Sequence, residues 1–292
     1  MNFTPQKVLH LKDELAKKNP KLQGNFLITQ KIEGWYVYFE YTLETGWQAP
    51  KSSAGREIPA FEHFRGINLP KVDYPMVLIA EAYIPDNIFQ VTNGIFNRSV
   101  GSYRCDDVVF MMHDLVVATA NFEVAIDRFN MLINFNNNIQ SSLKKHFQLN
   151  NILLASPFHE KLWYETFDRI ANAGGEGIVA KRENSLFSFG KRNSDLLKLK
   201  LECTVDCLAL RLEEGFGAKN NPSLTLISCR PNGIEVRTVI SKHEDQALFR
   251  ANPKAVIGKV VEIKAMEEYS DLQLRQPVFV RVREDKESGD IN

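Results

Sequence analysis

Three lysines stand where an amine or an ammonium group could take part in a reaction. Lys198 and Lys200 alternate along an apolar segment, so their side chains project from the same side of a strand. Two ammonium groups on one face repel each other unless an anion such as phosphate lies between them. If Lys31 lies beside this pair, their positive field favours the neutral amine that a lysine nucleophile requires. The K-x-x-G pattern at Lys31 is not specific alone, because Lys21 begins a second copy, and a structural pair of edge lysines is the alternative.

Two glutamates lie among apolar residues. Glu81 lies within IAEAY, and Glu176 begins EGIVAK. A lone carboxylate in apolar surroundings is costly, so each is expected to have a partner. A ribose hydroxyl, a lysine, or Mg²⁺ held by one or two carboxylates and substrate phosphates would serve. The alternative is that either glutamate faces solvent from an edge strand.

Basic residues concentrate in two stretches, from Lys181 to Lys200 and in the C-terminal segment PVFVRVREDK. In the second stretch, alternation predicts one face with Val278, Val280 and Val282 and another with Phe279, Arg281 and Arg283. Arginines beside an aromatic ring are suited to phosphate or nucleic acid. The alternatives are a solvated rim for the first stretch and a polar outer barrel face for the second.

Length and composition indicate a globular protein of two domains. The chain has 292 residues, of which 44% are hydrophobic and 25% charged. A net charge of zero argues against a protein that coats nucleic acid through global charge, although a local basic face is compatible with it. The chain has no run of about 18 apolar residues and no apolar secretory signal at its start. The expected location is the cytoplasm.

The four cysteines predict neither a disulfide framework nor a zinc site. Cys203 and Cys207 are four residues apart on a predicted strand, which separates them by about 13 Å. That distance is too long for both thiolates to bind one zinc ion. We therefore expect buried free thiols.

A hairpin-like pair of strands is predicted around Lys31, over residues 25–29 and 35–43. Apolar residues on both sides of the second strand place it inside a sheet. Further apolar strands are expected over residues 75–85, which include Glu81, and 107–117, which include His113. Leu197, Leu199 and Leu201 are expected to pack on the side of their strand opposite Lys198 and Lys200.

Two helices are predicted between these strands. The first lies within residues 121–135, whose apolar residues recur near helical spacing. The second runs from Phe158 to Ala173, with Ser156 as the cap, Pro157 at the first helical position, and glycines at the end.

From Cys203 onward, five short alternating strands predict a small β-barrel such as an OB-fold. The predicted fold class is therefore α+β. A first domain of antiparallel sheets and helices covers residues 1–201, and the barrel domain covers residues 202–292.

In their order and spacing, these segments resemble the ATP-dependent DNA ligases, covalent nucleotidyltransferases related to RNA ligases and capping guanylyltransferases. KIEG is similar to the nucleophile motif K-x-D-G-x-R, which implies that Lys31 is the adenylated lysine. The resemblance covers residues 29–286 and is strongest to small phage-type ligases without a separate N-terminal DNA-binding domain. If the chain is encoded by a phage, the expected location is the host cytoplasm. It implies an ATP-grasp-like adenylation domain followed by an OB-fold domain.

The resemblance also implies the residues of the nucleotide and metal sites. IAEAY resembles the D-G-E strand, so Glu81 would bind the ribose, and MHDLV resembles F-D-x-L, so His113 would stack on adenine. EGIVAK matches a motif that handles metal through Glu176 and contacts the nucleotide through Lys181. The remaining nucleotide contacts would come from Thr29, Gln30, Ile32, Tyr36, Lys198, Lys200, Arg283 and Lys286. The cofactors would be ATP and Mg²⁺ or Mn²⁺, with the metal bound by Glu176 and Glu81.

Contacts to DNA are expected from basic residues of both domains, namely Arg56, Arg182, Lys191, Arg192 and Arg281. Three positions depart from the family motifs: Glu33 replaces aspartate, while Tyr36 and Ser53 replace arginines. We hypothesise that Tyr36 packs or hydrogen-bonds, and that Arg56 or Lys51 supplies the missing charge.

The implied enzyme is a monomer away from membranes that seals 3′-hydroxyl/5′-phosphate nicks in duplex DNA during replication, repair or recombination. It would use ATP and proceed through a lysyl-AMP and a DNA-adenylate. An RNA ligase is the nearest alternative, but such enzymes generally lack the C-terminal motif RQPVFVRVREDK. A capping guanylyltransferase would accept GTP. A non-catalytic OB-fold protein that binds nucleic acid would not require Lys31 and Glu176.

Overall fold

A computed structural model of the chain describes residues 3–85, 89–96, 105–117, 123–216, 221–266, 268, 273–287 and 289. The chain divides into two compact units, an N-terminal unit, Met1–Lys200, and a C-terminal unit, Leu201–Asn292. Among the residues in these ranges, no helix is long and apolar enough to cross a membrane.

The N-terminal unit contains two sheets. Sheet A has the strand order β1 (Lys7–His10), β11 (Arg192–Lys200), β10 (Gly177–Arg182), β2 (Asn25–Lys31) and β9 (Ile152–Pro157). β1 and β11 are parallel, and the other neighbours are antiparallel. Leu197 and Leu199 are buried in the core, as predicted, whereas Leu201 is 40% exposed because β11 ends at Lys200.

Sheet B has the order β4 (Gly46–Trp47), β3 (Trp35–Thr42), β6 (Met76–Tyr83), β7 (Val109–Val117) and β8 (Phe147–Leu149), with β5 (Lys51–Ser52) also paired to β3. Both sides of β3 are buried, which confirms its prediction as a strand inside a sheet. Val37 and Phe39 belong to the main aromatic core, and Tyr38 packs on the other side with Phe3 and Phe187.

The predicted hairpin around Lys31 is wrong, because β2 belongs to sheet A and β3 to sheet B. Each strand is apolar enough to be central in its own sheet, so each pairs with distant strands rather than with the other. The connection passes close to β6, where a Cβ on Gly34 would lie 2.7 Å from the carbonyl oxygen of Ala82. Glycine therefore lets the chain cross from one sheet to the other immediately after Lys31.

The α-helices among the described residues are α1 (Leu11–Leu15), α2 (Phe89–Phe96), α3 (Ala125–Asn137), α4 (Glu160–Asn172) and, in the C-terminal unit, α5 (His243–Ala251). α3 corresponds to the first predicted helix, although Asn121 and Phe122 lie outside the described residues. α4 starts later than predicted. His159, not Ser156, caps it by accepting a hydrogen bond from the Leu162 amide, because Ser156 and Pro157 pair with β2 as part of β9.

The C-terminal unit is the predicted five-stranded barrel. Its closed strand order is β12 (Cys203–Phe216), β13 (Pro222–Cys229), β14 (Glu235–Val239), β16 (Val278–Val282) and β15 (Val260–Ala265). β14 and β16 are parallel, while the other pairs are antiparallel. The four cysteines are free thiols, and Cys105 and Cys207 are buried.

The predicted faces of the C-terminal strand are wrong. Phe279 lies in the barrel core, Val282 packs against it, and Val278 is 45% exposed. The cause is a register shift between β15 and β16. Ile263 pairs with Phe279, whereas the preceding residue, Glu262, pairs with Arg281. Val280 is therefore an extra residue, and strict alternation ends at this irregularity.

Candidate active site

A cavity of about 240 Å³ in the N-terminal unit is lined by residues of both sheets and of α3. Nine of the predicted nucleotide-site residues line it: Thr29, Gln30, Lys31, Ile32, Tyr36, Glu81, His113, Lys181 and Lys198. They come from segments up to about 170 residues apart, and the two sheets bring them together. The structure thus gathers most of the predicted site around one cavity.

Lys31 forms an ion pair with Glu176, with 2.6 Å between Nζ and Oε2. The pairing of β2 with β10 places Lys31 opposite Gly177, next to Glu176. Gly177 has φ of +145°, and a Cβ there would lie 2.2 Å from the Leu199 carbonyl oxygen. Only glycine fits this close approach of three strands. The sequence Glu-Gly therefore fixes the carboxylate beside the lysine.

Lys198 and Lys200 lie close to this ion pair. Lys198 lines the cavity, and Lys200 is paired in register with Gly177. Burial lowers the pKa of Lys198, and the positive charges of Lys200 and Lys31 lower it further. Mutual repulsion of three ammonium groups favours the binding of an anion in this part of the cavity.

Glu81 and Tyr36 are cross-strand neighbours on β6 and β3, and both line the cavity. Burial raises the pKa of Glu81 to about 8; Lys31 opposes this shift, and the negative charge of Glu176 adds to it. Burial also raises the pKa of Tyr36 well above its ordinary value, as do Asp114 and Glu81. Tyr36 is therefore a neutral phenol beside a carboxyl group that holds a proton at neutral pH.

His113 lines the same cavity from β7. Burial and the charge of Lys181 lower its pKa to about 4, so the imidazole is neutral at physiological pH. Its Nε2 atom is buried without a hydrogen-bond partner. The ring lies 6.0 Å from that of Tyr36, with 59° between the planes. A neutral ring with an available nitrogen can both pack against a ligand and hydrogen-bond to it.

The two predicted metal ligands fit a divalent cation. Oε1 of Glu176 is a buried carboxylate oxygen without a hydrogen-bond partner, and Glu81 lies near enough for its pKa to respond to Glu176. Among the described residues, no group of three or more His, Cys, Asp or Glu residues could hold a metal by itself. One or two carboxylates that share Mg²⁺ with substrate phosphates match this arrangement.

Several residues around the cavity were not predicted. Asn150 links the two sheets. Its side-chain Nδ2 donates to the Gln30 carbonyl (2.9 Å), and its backbone N–H donates to the Met112 carbonyl (2.8 Å). Asp114 binds Lys181 and the buried Arg128. Gln6, Val8, Phe129 and Phe187 also line the cavity. Asp114 matches the aspartate of F-D-x-L, and this motif could have identified it. Local patterns give no signal for Asn150 or Arg128, since their partners are distant in the sequence.

The predicted DNA-binding residues of the N-terminal unit do not line the cavity. Arg182 is held by Asp195 at 2.7 Å and lies over the Phe26 ring. Lys191, Arg192 and Arg56 are exposed. Lys51 pairs with Glu40. Neither Lys51 nor Arg56, the two hypothesised replacements for the missing arginines, lines the cavity.

In the C-terminal unit, the predicted basic residues form ion pairs with acidic side chains of that unit. Arg283 and Lys286 both bind Asp206 on β12, at 3.1 Å and 2.7 Å. Arg283 also binds Asp285. Arg281 is 57% exposed and binds Glu262. Asp206 thus holds Arg283 and Lys286, the arginine and lysine of the C-terminal motif, next to each other.

Comparison with known proteins relates the chain to DNA ligases. Two curated proteins described as DNA ligase 2, from Methanosarcina mazei and Methanosarcina acetivorans, are 31% and 30% identical to it over 155 residues. The match covers 44% of this chain and only 27% of each relative's length. No family model matches the chain.

Solved structures extend the likeness to the whole fold. A structure from work on DNA binding with a minimal scaffold by Lig E DNA ligases has a TM-score of 0.73 at 20% identity, covering 97% of this chain and 100% of the other. The ATP-dependent DNA ligase of bacteriophage T7 in complex with ATP has a TM-score of 0.53 at 16% identity, covering 96% of this chain and 98% of the other. The chain therefore has the fold of these ligases.

Proposed function

We propose that this chain is an ATP-dependent polynucleotide ligase that seals 3′-hydroxyl/5′-phosphate nicks in duplex DNA. The Lys31–Glu176 ion pair of 2.6 Å, set beside Lys198, carries the proposal. A lysine held by a carboxylate next to an anion-binding cluster is the arrangement that nucleotidyl transfer to an amine requires. The likeness to DNA ligases in fold and in part of the sequence supports DNA as the substrate.

In the first step, Lys31 attacks the α-phosphorus of ATP. Nζ forms a bond to phosphorus, the bond from phosphorus to the bridging oxygen breaks, and pyrophosphate leaves. The ammonium must lose a proton before attack, and Glu176 is the carboxylate placed to accept it. Mg²⁺ held by Glu176 Oε1 and Glu81 with the substrate phosphates would neutralise phosphate charge.

The other predicted site residues would bind and orient the nucleotide. Lys198 and Lys200 neutralise the non-bridging oxygens of the α-phosphate. Glu81 binds the ribose, and His113 contacts the base with its neutral ring. Arg283 and Lys286 orient the pyrophosphate. The remaining contacts come from Thr29, Gln30, Ile32, Tyr36 and Lys181.

Two further transfers complete ligation. The 5′-phosphate at a nick attacks lysyl-AMP, which frees Lys31 and forms a DNA-adenylate. The 3′-hydroxyl then attacks the adenylated phosphate, and AMP leaves. Duplex binding relies on phosphate contacts from basic side chains, namely Arg56, Arg182, Lys191, Arg192 and Arg281.

Incubation with α-labelled ATP and Mg²⁺, followed by a chase, tests this function. Label should accumulate on the protein and pass to nicked DNA, and Lys31→Ala should abolish it. Lys21→Ala is the matched control, because Lys21 starts the other K-x-x-G segment and is exposed. Transfer to nicked RNA alone, labelling from GTP alone, or an adduct that survives in Lys31→Ala would contradict the proposed function.

A further inference from the structure

A buried charge cluster adjoins the cavity and is formed by Arg128, Asp114 and Lys181. Arg128 and Asp114 are only 1% and 4% exposed, and Lys181 is 17% exposed. Asp114 and Lys181 line the cavity, whereas Arg128, on α3, does not appear in its wall. Any effect of Arg128 on a bound nucleotide is therefore indirect, through residues that line the cavity.

Arg128 is fixed by several hydrogen bonds. Its Nε donates to Asp114 Oδ1 at 2.9 Å, and its Nη1 donates to the carbonyl oxygens of Glu123 (2.8 Å) and Ser185 (3.2 Å). The guanidinium also lies 5.7 Å from the Phe187 ring centroid. A planar fork held at these points orients the carboxylate more rigidly than a single ammonium could.

Lys181 binds the other oxygen of the same carboxylate. Its Nζ lies 2.5 Å from Asp114 Oδ2 and 3.2 Å from the His113 carbonyl oxygen. An ammonium group has three hydrogens, so one donor remains for a ligand in the cavity. The two cations and one carboxylate carry a net charge of +1, which burial makes costly unless an electron-rich ligand is bound.

We infer that Arg128 is a positioning residue for nucleotide binding: it neutralises and orients Asp114, so that the charge and third hydrogen of Lys181 remain available to ATP. This inference rests on the proposed function, since it requires a nucleotide in the cavity. Without Arg128, the negative charge of Asp114 would cancel the positive charge of Lys181, and the cluster would present no net charge to the ligand.

A double-mutant cycle tests the inference. The ATP concentration for half-maximal lysyl-AMP formation and the maximal rate are measured for wild type, Arg128→Met, Lys181→Met and the double variant. Loss of one charge-assisted hydrogen bond predicts an increase of about tenfold or more in that concentration for each single variant. Since Arg128 acts through Lys181, the double variant should be no worse than Lys181→Met.

Leu132→Ala is the control for loss of stability, because Leu132 is fully buried on the same helix and contributes no charge. It should lower the melting temperature and leave the ATP constant unchanged. If Arg128→Met does not fold, Arg128→Lys replaces it in the cycle; it keeps the charge, loses the fork, and should give a smaller increase.

Three results would overturn the inference. In the first, Arg128→Met or its lysine substitute leaves the ATP constant unchanged in a protein that forms the adduct normally, and the proposed function stands. In the second, the Arg128 substitution weakens ATP use equally with and without Lys181, which indicates an independent structural effect. In the third, wild type forms no adduct, which contradicts the proposed function itself and this inference with it.

Discussion

Glu81 is a cavity residue whose ionisation responds strongly to its surroundings. It sits on β6 beside a neutral phenol, and its pKa is about 8. Burial favours the protonated carboxyl, whereas a bound cation requires the carboxylate. Binding of the proposed cation and protonation would therefore compete at this residue, with the balance near pH 8.

Metal affinity should rise with pH because of Glu81. As pH increases from 7 to 9, the carboxyl loses its proton and becomes available, so Mn²⁺ or Mg²⁺ should bind more tightly. In the metal-free protein, stability should fall as pH rises towards 8, since the folded state retains a proton that the unfolded state has lost. Glu81→Gln should weaken both trends in calorimetric titrations and thermal melts. Equal pH profiles for variant and wild type would contradict this assignment.

Gly177 determines whether Glu176 can reach Lys31. Gly177→Ala places a methyl group against the Leu199 carbonyl at positive φ, which costs at least about 1–3 kcal/mol. We expect a lower melting temperature and loss of lysyl-AMP formation. Gly94→Ala is the control, because a Cβ there meets no atom within 4 Å. Normal adduct formation by Gly177→Ala would show that the close approach of these strands does not position the pair.

At the scale of elements, local patterns predict strands better than they predict strand partners. The alternation of Lys198 and Lys200 with buried leucines is local, so the sequence suffices to expect it. Lys31 and Glu176 lie 145 residues apart, and only the family resemblance related them before the structure did. The predicted hairpin around Lys31 is wrong because both strands are apolar enough to be central in different sheets. The ion pair of Asp114 with Arg128 joins a strand to a helix and has no periodic signal.

Asn150 joins the strand of Lys31 to the strand of His113 and should be required to align them. Asn150→Ala leaves the Gln30 carbonyl without this partner in a partly buried position, which costs about 1–3 kcal/mol. The rate of adduct formation should fall by more than the loss of folded protein accounts for. The adjacent, exposed Asn151→Ala provides the control in melts and single-turnover assays. Unchanged kinetics in Asn150→Ala would refute an aligning role.

At the scale of the whole molecule, a net charge of zero means that the proposed attraction to DNA would depend on local basic surfaces. Lys31 and Lys198 line the cavity, while Lys191 and Arg192 are exposed on the surface of the N-terminal unit. Arg283 and Lys286 are held by Asp206 in the other unit. Composition alone therefore gives no signal of the proposed binding to nucleic acid, because acidic and basic residues cancel in the total charge.

Binding to nicked duplex should weaken steeply with salt, because phosphate contacts release counterions. Lys191→Gln and Arg192→Gln should each reduce the slope of log affinity against log salt by about 1 if each contacts one phosphate. Lys161→Gln, at a lysine whose side chain is 80% exposed, is the control and should leave the slope unchanged. Titrations at several salt concentrations measure these slopes. Identical slopes in all three variants would exclude the two residues from the DNA surface.

The most direct test of the central claim is peptide mapping by mass spectrometry after incubation with ATP and Mg²⁺. We predict one AMP per chain, attached to Nζ of Lys31, with Lys21 and Lys198 unmodified. Addition of nicked DNA should remove the AMP and yield sealed product. AMP at another residue, or no adduct on a folded protein that binds ATP, would contradict the assignment of Lys31 as the nucleophile.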